Sequence, residues 1–174
     1  DEWQKFCEKI SELGKYLEDE GMPLAYHHHM GTVIETQKDT ERLIENTHES
    51  VKLTLDTGHM LFAKGDSKYI LQNYHERILH VHCKDIRKQV LEKSLKEDLS
   101  FRSAFLEGAF TVPGDGCIDY QPLFNVLKNN NYSGWLVVEA EQDPAKANPL
   151  EYAKIGYNYL TDTLKKSEIE IYKN

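Results

Sequence analysis

The chain has 174 residues and a formal net charge of −8, from 29 acidic and 21 basic side chains. That balance excludes a general binder of phosphate backbones, which needs a basic face, so no nucleic-acid partner is expected. No apolar run approaches the ~20 residues of a membrane span, and no membrane partner is expected either. Cys7, Cys83 and Cys117 are odd in number and lack a CxxC pair, so they read as free thiols of a reducing compartment.

Taken in chain order, Trp3, Phe6, Ile10, Leu13 and Leu17 fall at helical spacing, with Gly21 as a stop signal. "MPLAYHHH" then reads as a strand. Thr36 and Asp39 form a capping-box pattern for a helix over about 37–47. "VKLTLDTGHM" alternates and is rich in β-formers, giving a second strand. Residues 67–75 are helical, and "RILHVHCKD" is a third strand. The charged stretch 86–108 reads as helical and "FTVPGDGCID" as a loop. "YQPLFNVLKNN" is a helix and "SGWLVVEAEQD" a fourth strand. A last helix covers 149–166, with Tyr152, Ile155, Tyr159 and Leu160 on one face, and 167–174 form a frayed tail.

This alternation of helices and strands implies parallel strands with crossover helices, in a doubly wound sheet or part of a (β/α)8 barrel. No GxGxxG or GxxxxGK[ST] loop follows a strand, which weakens a nucleotide-binding sheet. A barrel gathers its chemistry at the C-terminal ends of its strands. The ionisable residues fall there. The first strand ends in His27, His28 and His29, and the second in Asp56 and His59. The third ends in His80, His82, Lys84 and Asp85, and the fourth in Glu139, Glu141 and Asp143. Strand alternation puts His27 with His29, His80 and His82 with Lys84, and Glu139 with Glu141, and turns His28 outward into the helix layer as a structural residue. His48 and His75 lie off the strand ends and read as surface residues.

Each of these residues has a plainer explanation. A lone buried His is more often a hydrogen-bonded core residue than a ligand, and "DTG" alone could be a turn with a helix-capping Asp. Lys84 could serve only as an ion-pair partner of Asp85 or Glu141. The plain reading weakens because four strands offer such groups together, and burying so many polar groups without compensation is costly. Imidazole with carboxylate suits a divalent first-row ion.

"YHHHMGT", "LDTGHMLFAKGD", "HVHCKDIRK", "FTVPGDG" and "GWLVVEAEQDPAKANP" closely resemble the corresponding segments of inosose dehydratases, of the xylose-isomerase-like barrel superfamily. The resemblance covers nearly the whole chain in order. It implies a TIM barrel, with residues 1–174 as the C-terminal half of a single catalytic domain carrying strands five to eight. It implies a cytoplasmic bacterial carbon–oxygen lyase that removes water from 2-keto-myo-inositol, a cyclic polyol ketone, in inositol catabolism. Mn or Co is the expected metal. Carried over residue by residue, the ligands are Asp56, His82 and Glu139, with His27 or Glu35 as the first ligand and Glu141 as an alternative to Glu139. His29 and His59 are the proton-transfer candidates, Glu141 a further one, and Lys84 is placed to stabilise an enolate oxygen or bind a hydroxyl.

A metal-dependent sugar isomerase or epimerase of the same superfamily is the nearest rival, since it shares the enediolate. A barrel endonuclease is disfavoured by the charge, and a non-catalytic sugar-binding module is the alternative of another class. Four strands make half of a barrel that typically needs about 250 residues. Such a half exposes two strand edges, which invites pairing with a second copy or with the missing half.

Overall fold

The structure, a computed structural model, describes residues 1–172. Its elements are α1 (Glu2–Asp19), β1 (Leu24–His27), α2 (Gln37–Asn46), β2 (Val51–Asp56), α3 (Thr57–Phe62) and α4 (Ser67–Tyr74). A 3-10 turn (His75–Arg77) leads into β3 (Ile78–Cys83) and β4 (Asp85–Ile86). α5 (Lys88–Lys96), α6 (Phe101–Leu106), β5 (Phe110–Thr111), α7 (Tyr120–Asn129), β6 (Trp135–Val138) and α8 (Pro149–Lys166) follow. The chain divides into two compact units, Asp1–Val81 and the part from His82 onward.

In the first unit the strands lie in the order β1-β2-β3. β1 and β2 are parallel, in a register running from Leu24↔Val51 to His27↔Thr54. Val51, Leu53, Leu55 and the alternate residues Thr54 and Asp56 are all buried, as expected of a strand covered on both faces. The capping box at α2 forms as its sequence implies: Asp39 N–H donates to the Thr36 hydroxyl, and the Asp39 carboxylate accepts the Thr36 N–H. Arg77 ties the end of α2 to the start of β2, donating to the carbonyls of Ile44 (2.8 Å), His48 (3.1 Å) and Val51 (2.6 Å). α1 approaches β2 through Gly14, where a Cβ would stand 2.9 Å from Ser50 Oγ and 3.1 Å from Val51 Cγ2. The buried centre of α1 is therefore Cys7 and Gly14, while Leu13, expected on the inner face, is exposed. No helix among the described residues is long and apolar enough to cross a membrane.

In the second unit β6 lies beside the end of β3, with Glu139 N–H donating to the Cys83 carbonyl at 3.3 Å. The stretch 86–108 is not one helix. β4 and β5 form an antiparallel ribbon, Asp85↔Thr111 and Ile86↔Phe110. α5 and α6 are separated at Asp98, whose φ of 51° is left-handed, and at Ser100, whose hydroxyl caps α6 by accepting the Ser103 N–H. α8 matches its expected span, yet its buried face is Gly156, Leu160, Thr163 and Leu164, and Ile155 is exposed. The segment read as a frayed tail begins with a buried Ser167, whose hydroxyl donates to the Thr163 carbonyl and accepts from Gln121 Nε2. Residues 173–174 lie outside the described residues. Among the described residues, Cys7, Cys83 and Cys117 form no disulfide.

Gly14→Val is expected to lower stability by about 1–3 kcal/mol through overpacking of α1 against β2, read as a lower urea midpoint at unchanged slope.

Candidate active site

The second strand stops earlier than its alternation suggests, and the reason is chemical. Asp56 Oδ1 accepts the N–H of His59 at 2.8 Å, which caps α3 and turns the chain into a helix at Thr57. The capping reading of "DTGH" is realised in this carboxylate. Capping occupies Oδ1, while Oδ2 lies 3.5 Å from His27 Nε2. One donor atom from each of His27, Asp56 and His59 lies within 4.8 Å of the others, and both Asp56 and His59 are fully buried. Two imidazoles and a carboxylate are a donor set that fits a single divalent first-row ion.

The triple histidine surrounds this carboxylate. β1 ends at His27, so His28 and His29 lie beyond the ladder rather than alternating within it. His28, read from strand parity as a structural residue, is held by the neighbouring strand. Its ring is fully buried, and its Nε2 accepts the backbone N–H of Asp56 at 3.1 Å. His29 stacks on His59 with ring centroids 3.7 Å apart and a tilt of 42°. It is held by Nδ1 contact with the Met30 carbonyl at 2.7 Å and by its own carbonyl accepting the Thr32 hydroxyl at 2.8 Å. Glu35 is engaged within the same loop, its Oε2 accepting the Gly31 N–H at 2.6 Å. Among the described residues it does not belong to the ligand group of His27, Asp56 and His59.

The second unit carries a charged cluster of its own. Lys84 is fully buried, and its Nζ lies 3.3 Å from Glu139 Oε1 and 3.0 Å from Glu141 Oε2. The other oxygen of Glu139 is 2.6 Å from His82 Nδ1. β6 ends at Val138, so both glutamates lie just past the strand, where they converge on the same ammonium. Phe110 lies under Lys84 at 5.6 Å, and Tyr120 donates its hydroxyl to the Lys84 carbonyl at 3.0 Å. Asp85 is turned elsewhere. Its Oδ1 accepts the N–H groups of Ile86, Cys117 and Ile118 at 2.7–2.9 Å, and burial pushes its carboxyl up against the opposing effect of those bonds. Gly116 is required beside it, because a Cβ there would clash with the Asp85 carboxylate.

Arg87, which the sequence did not single out, locks the "FTVPGDG" loop. It donates to the carbonyls of Gly108 and Phe110, to Thr111 Oγ1 and to Asp115, the last at 2.7 Å. Its signal in the sequence is an arginine two residues after a buried aspartate, too common a pattern to carry an assignment. Of the remaining histidines, His48 is exposed and bonded to Ser50, as a surface role implies, and His75 is half-buried.

A model of the xylose isomerase-like TIM barrel family matches residues 1–163, and the chain belongs to that family. Within it, the chain is 50% identical over 163 residues to the inosose dehydratase of Clostridium beijerinckii, covering 93% of this chain and 55% of that protein. It is 48% identical over 164 residues to the inosose dehydratase of Halalkalibacterium halodurans, covering 94% and 54%. The chain thus spans about half the length of the curated relatives it matches. Among solved structures, the probable 3-DHS dehydratase AsbF of Bacillus anthracis aligns with a TM-score of 0.70 at 17% identity, over 91% of this chain and 56% of that one. The IOLI protein with a binding zinc atom aligns at 0.66 and 20% identity, over 91% and 54%. These two share the fold.

Burial pushes the His28 ring down from its usual 6.5 to about 3, with the charge of Asp56 opposing the shift. The unfolded chain takes up a proton at this position below about pH 6.5, whereas the folded chain does so only near 3. The stabilisation is therefore complete above pH 6.5 and is lost as pH falls through that window, with a limiting slope of about 1.4 kcal/mol per pH unit. Urea denaturation of the metal-free protein across this range should show a shallower pH dependence for His28→Gln than for the unaltered protein.

Proposed function

We propose that this chain is the part of a metal-dependent inosose dehydratase that carries its metal ligands. The identity of about half its residues to inosose dehydratases, along nearly its whole length, carries the reading. The pair His27 and Asp56, with His59 close by, supports the metal dependence: one donor atom of each lies within 4.8 Å of the others. We assign the ion to His27, Asp56, His82 and Glu139, and take it to be Mn or Co. His27 is preferred to Glu35, whose carboxylate is engaged by Gly31. Glu139 is preferred to Glu141, because it joins His82 to Lys84, while the contact recorded for Glu141 is with Lys84.

The substrate of this reading is 2-keto-myo-inositol, a ring ketone with hydroxyls on its neighbouring carbons. Dehydration removes a proton α to the ketone and a hydroxyl from the β carbon, together one water, and the enol so formed tautomerises to an α-diketone. When bound, the ion supplies Lewis acidity at the carbonyl oxygen. The chain's own groups do the rest. His29 and His59 are the proton carriers, one accepting the α proton and the other protonating the departing hydroxyl. Their stacked rings hold each other in a fixed orientation. Lys84 is a buried cation positioned by two carboxylates, suited to an oxygen that gains negative charge, and Glu141 tunes it through their 3.0 Å contact. The protein is placed in the cytoplasm, and association of two copies belongs to the same reading.

With 2-keto-myo-inositol and Mn or Co, the protein at its natural length should release one water per turnover and form a diketone detectable by mass spectrometry. Formation of only an isomer of the substrate would instead assign it to the isomerases and epimerases. Asp56→Asn should lose metal and activity together while circular dichroism stays unchanged. His29→Ala and His59→Ala should keep the metal and lose about 10²–10⁴-fold in kcat, the range for a positioned acid or base.

A further inference from the structure

The parallel ladder of β1 and β2 ends at His27↔Thr54, two residues short of Asp56. A continued β1 would bring backbone opposite Asp56, but the chain leaves the sheet instead. The missing partner is replaced by a side chain: Nε2 of the fully buried His28 accepts the Asp56 N–H at 3.1 Å. In a neutral ring, acceptance at Nε2 requires the proton on Nδ1. Among the described residues, that Nδ1 has no hydrogen-bond partner. A buried polar atom left in this way costs free energy that an apolar side chain of similar size would avoid. Packing alone therefore does not account for a histidine here.

Asp56 is held from two directions. Its main-chain N–H is fixed by His28, and its Oδ1 is fixed by the His59 N–H at 2.8 Å. With both restraints in place, Oδ2 faces His27 Nε2. We infer that His28 is a positioning residue that aims the Asp56 carboxylate at the metal by acting as the last rung of the β1–β2 ladder. The inference rests on the metal reading proposed above. His28 itself contributes no ligand. Removing its acceptor leaves the buried Asp56 N–H without its bond, and the strand end gains freedom to rotate the carboxylate away from His27.

The test compares His28→Leu, which keeps bulk and removes the acceptor, with His28→Gln, whose Oε1 can still take the Asp56 N–H. Mn binding is measured by calorimetry on the protein at its natural length, with Asp56→Asn as control and thermal melts reporting the folded fraction. His28→Leu should weaken Mn binding by about 10–100-fold, the usual effect of losing a group that orients a ligand, and His28→Gln by less than tenfold. Amide exchange at Asp56 should accelerate in the leucine variant and not in the glutamine variant. A folded His28→Leu protein with unchanged Mn affinity overturns the inference. If the leucine variant does not fold, the glutamine variant decides, and a tenfold or greater loss in it overturns the inference. Unchanged Mn affinity in Asp56→Asn would instead remove the metal reading and leave the hydrogen-bond assignment to the exchange data.

Discussion

A carboxylate that ends one element and begins the next controls this structure. Asp56 is fully buried at the point where β2 becomes α3, and burying an ionised carboxylate without compensation would cost several kcal/mol. The compensation comes from the chain around it: the His59 N–H on one oxygen, His27 beside the other, and His28 on its own main-chain N–H. The end of the strand, the start of the helix and the aim of the carboxylate are one event. Shifting any of the three would leave a buried polar group unmatched, so the groups gathered at this site also hold the local fold.

The second unit meets the same difficulty with the opposite sign. Lys84 has no exposed side-chain surface, and an isolated buried ammonium would lose its proton. Two glutamates just beyond β6 keep it matched, and one of them reaches His82 with its other oxygen. Charge is balanced within the cluster rather than by solvent. Asp85, adjacent in sequence, plays no part in that balance, because three backbone N–H groups from its own neighbour and from the 117–118 turn absorb its carboxylate. Two consecutive ionisable residues therefore serve different ends, one in a charged cluster and one as the clasp of a loop.

Periodicity made the order of helices and main strands legible, and it drew the last helix over its observed span because Asn148 and Pro149 mark its start chemically. It also put the titratable residues at the strand ends, and the motifs around them identified the family. What period could not supply was where a strand stops. "VKLTLDTGHM" continues to alternate past Asp56, yet a carboxylate that accepts the N–H three residues ahead caps a helix instead. The same limit applies to His28: parity holds only while the ladder does, β1 stops at His27, and parity could not name the Asp56 N–H as the partner of its ring. The ribbon of β4 and β5 was invisible because each strand has two residues, too few to show any alternation.

By itself, then, the sequence determined the class of fold, the family and the set of residues from which a metal site could be built, since those depend on residue type and spacing along one chain. Only the tertiary structure decided which atom of each residue faces which partner. Asp56 Oδ1 went to a helix N-terminus, Glu35 to Gly31, and Lys84 to Glu139 and Glu141 rather than to Asp85. Those choices are made between residues far apart in sequence. They follow from the requirement that every buried polar group find a partner, which is met in three dimensions and leaves no periodic trace in the chain.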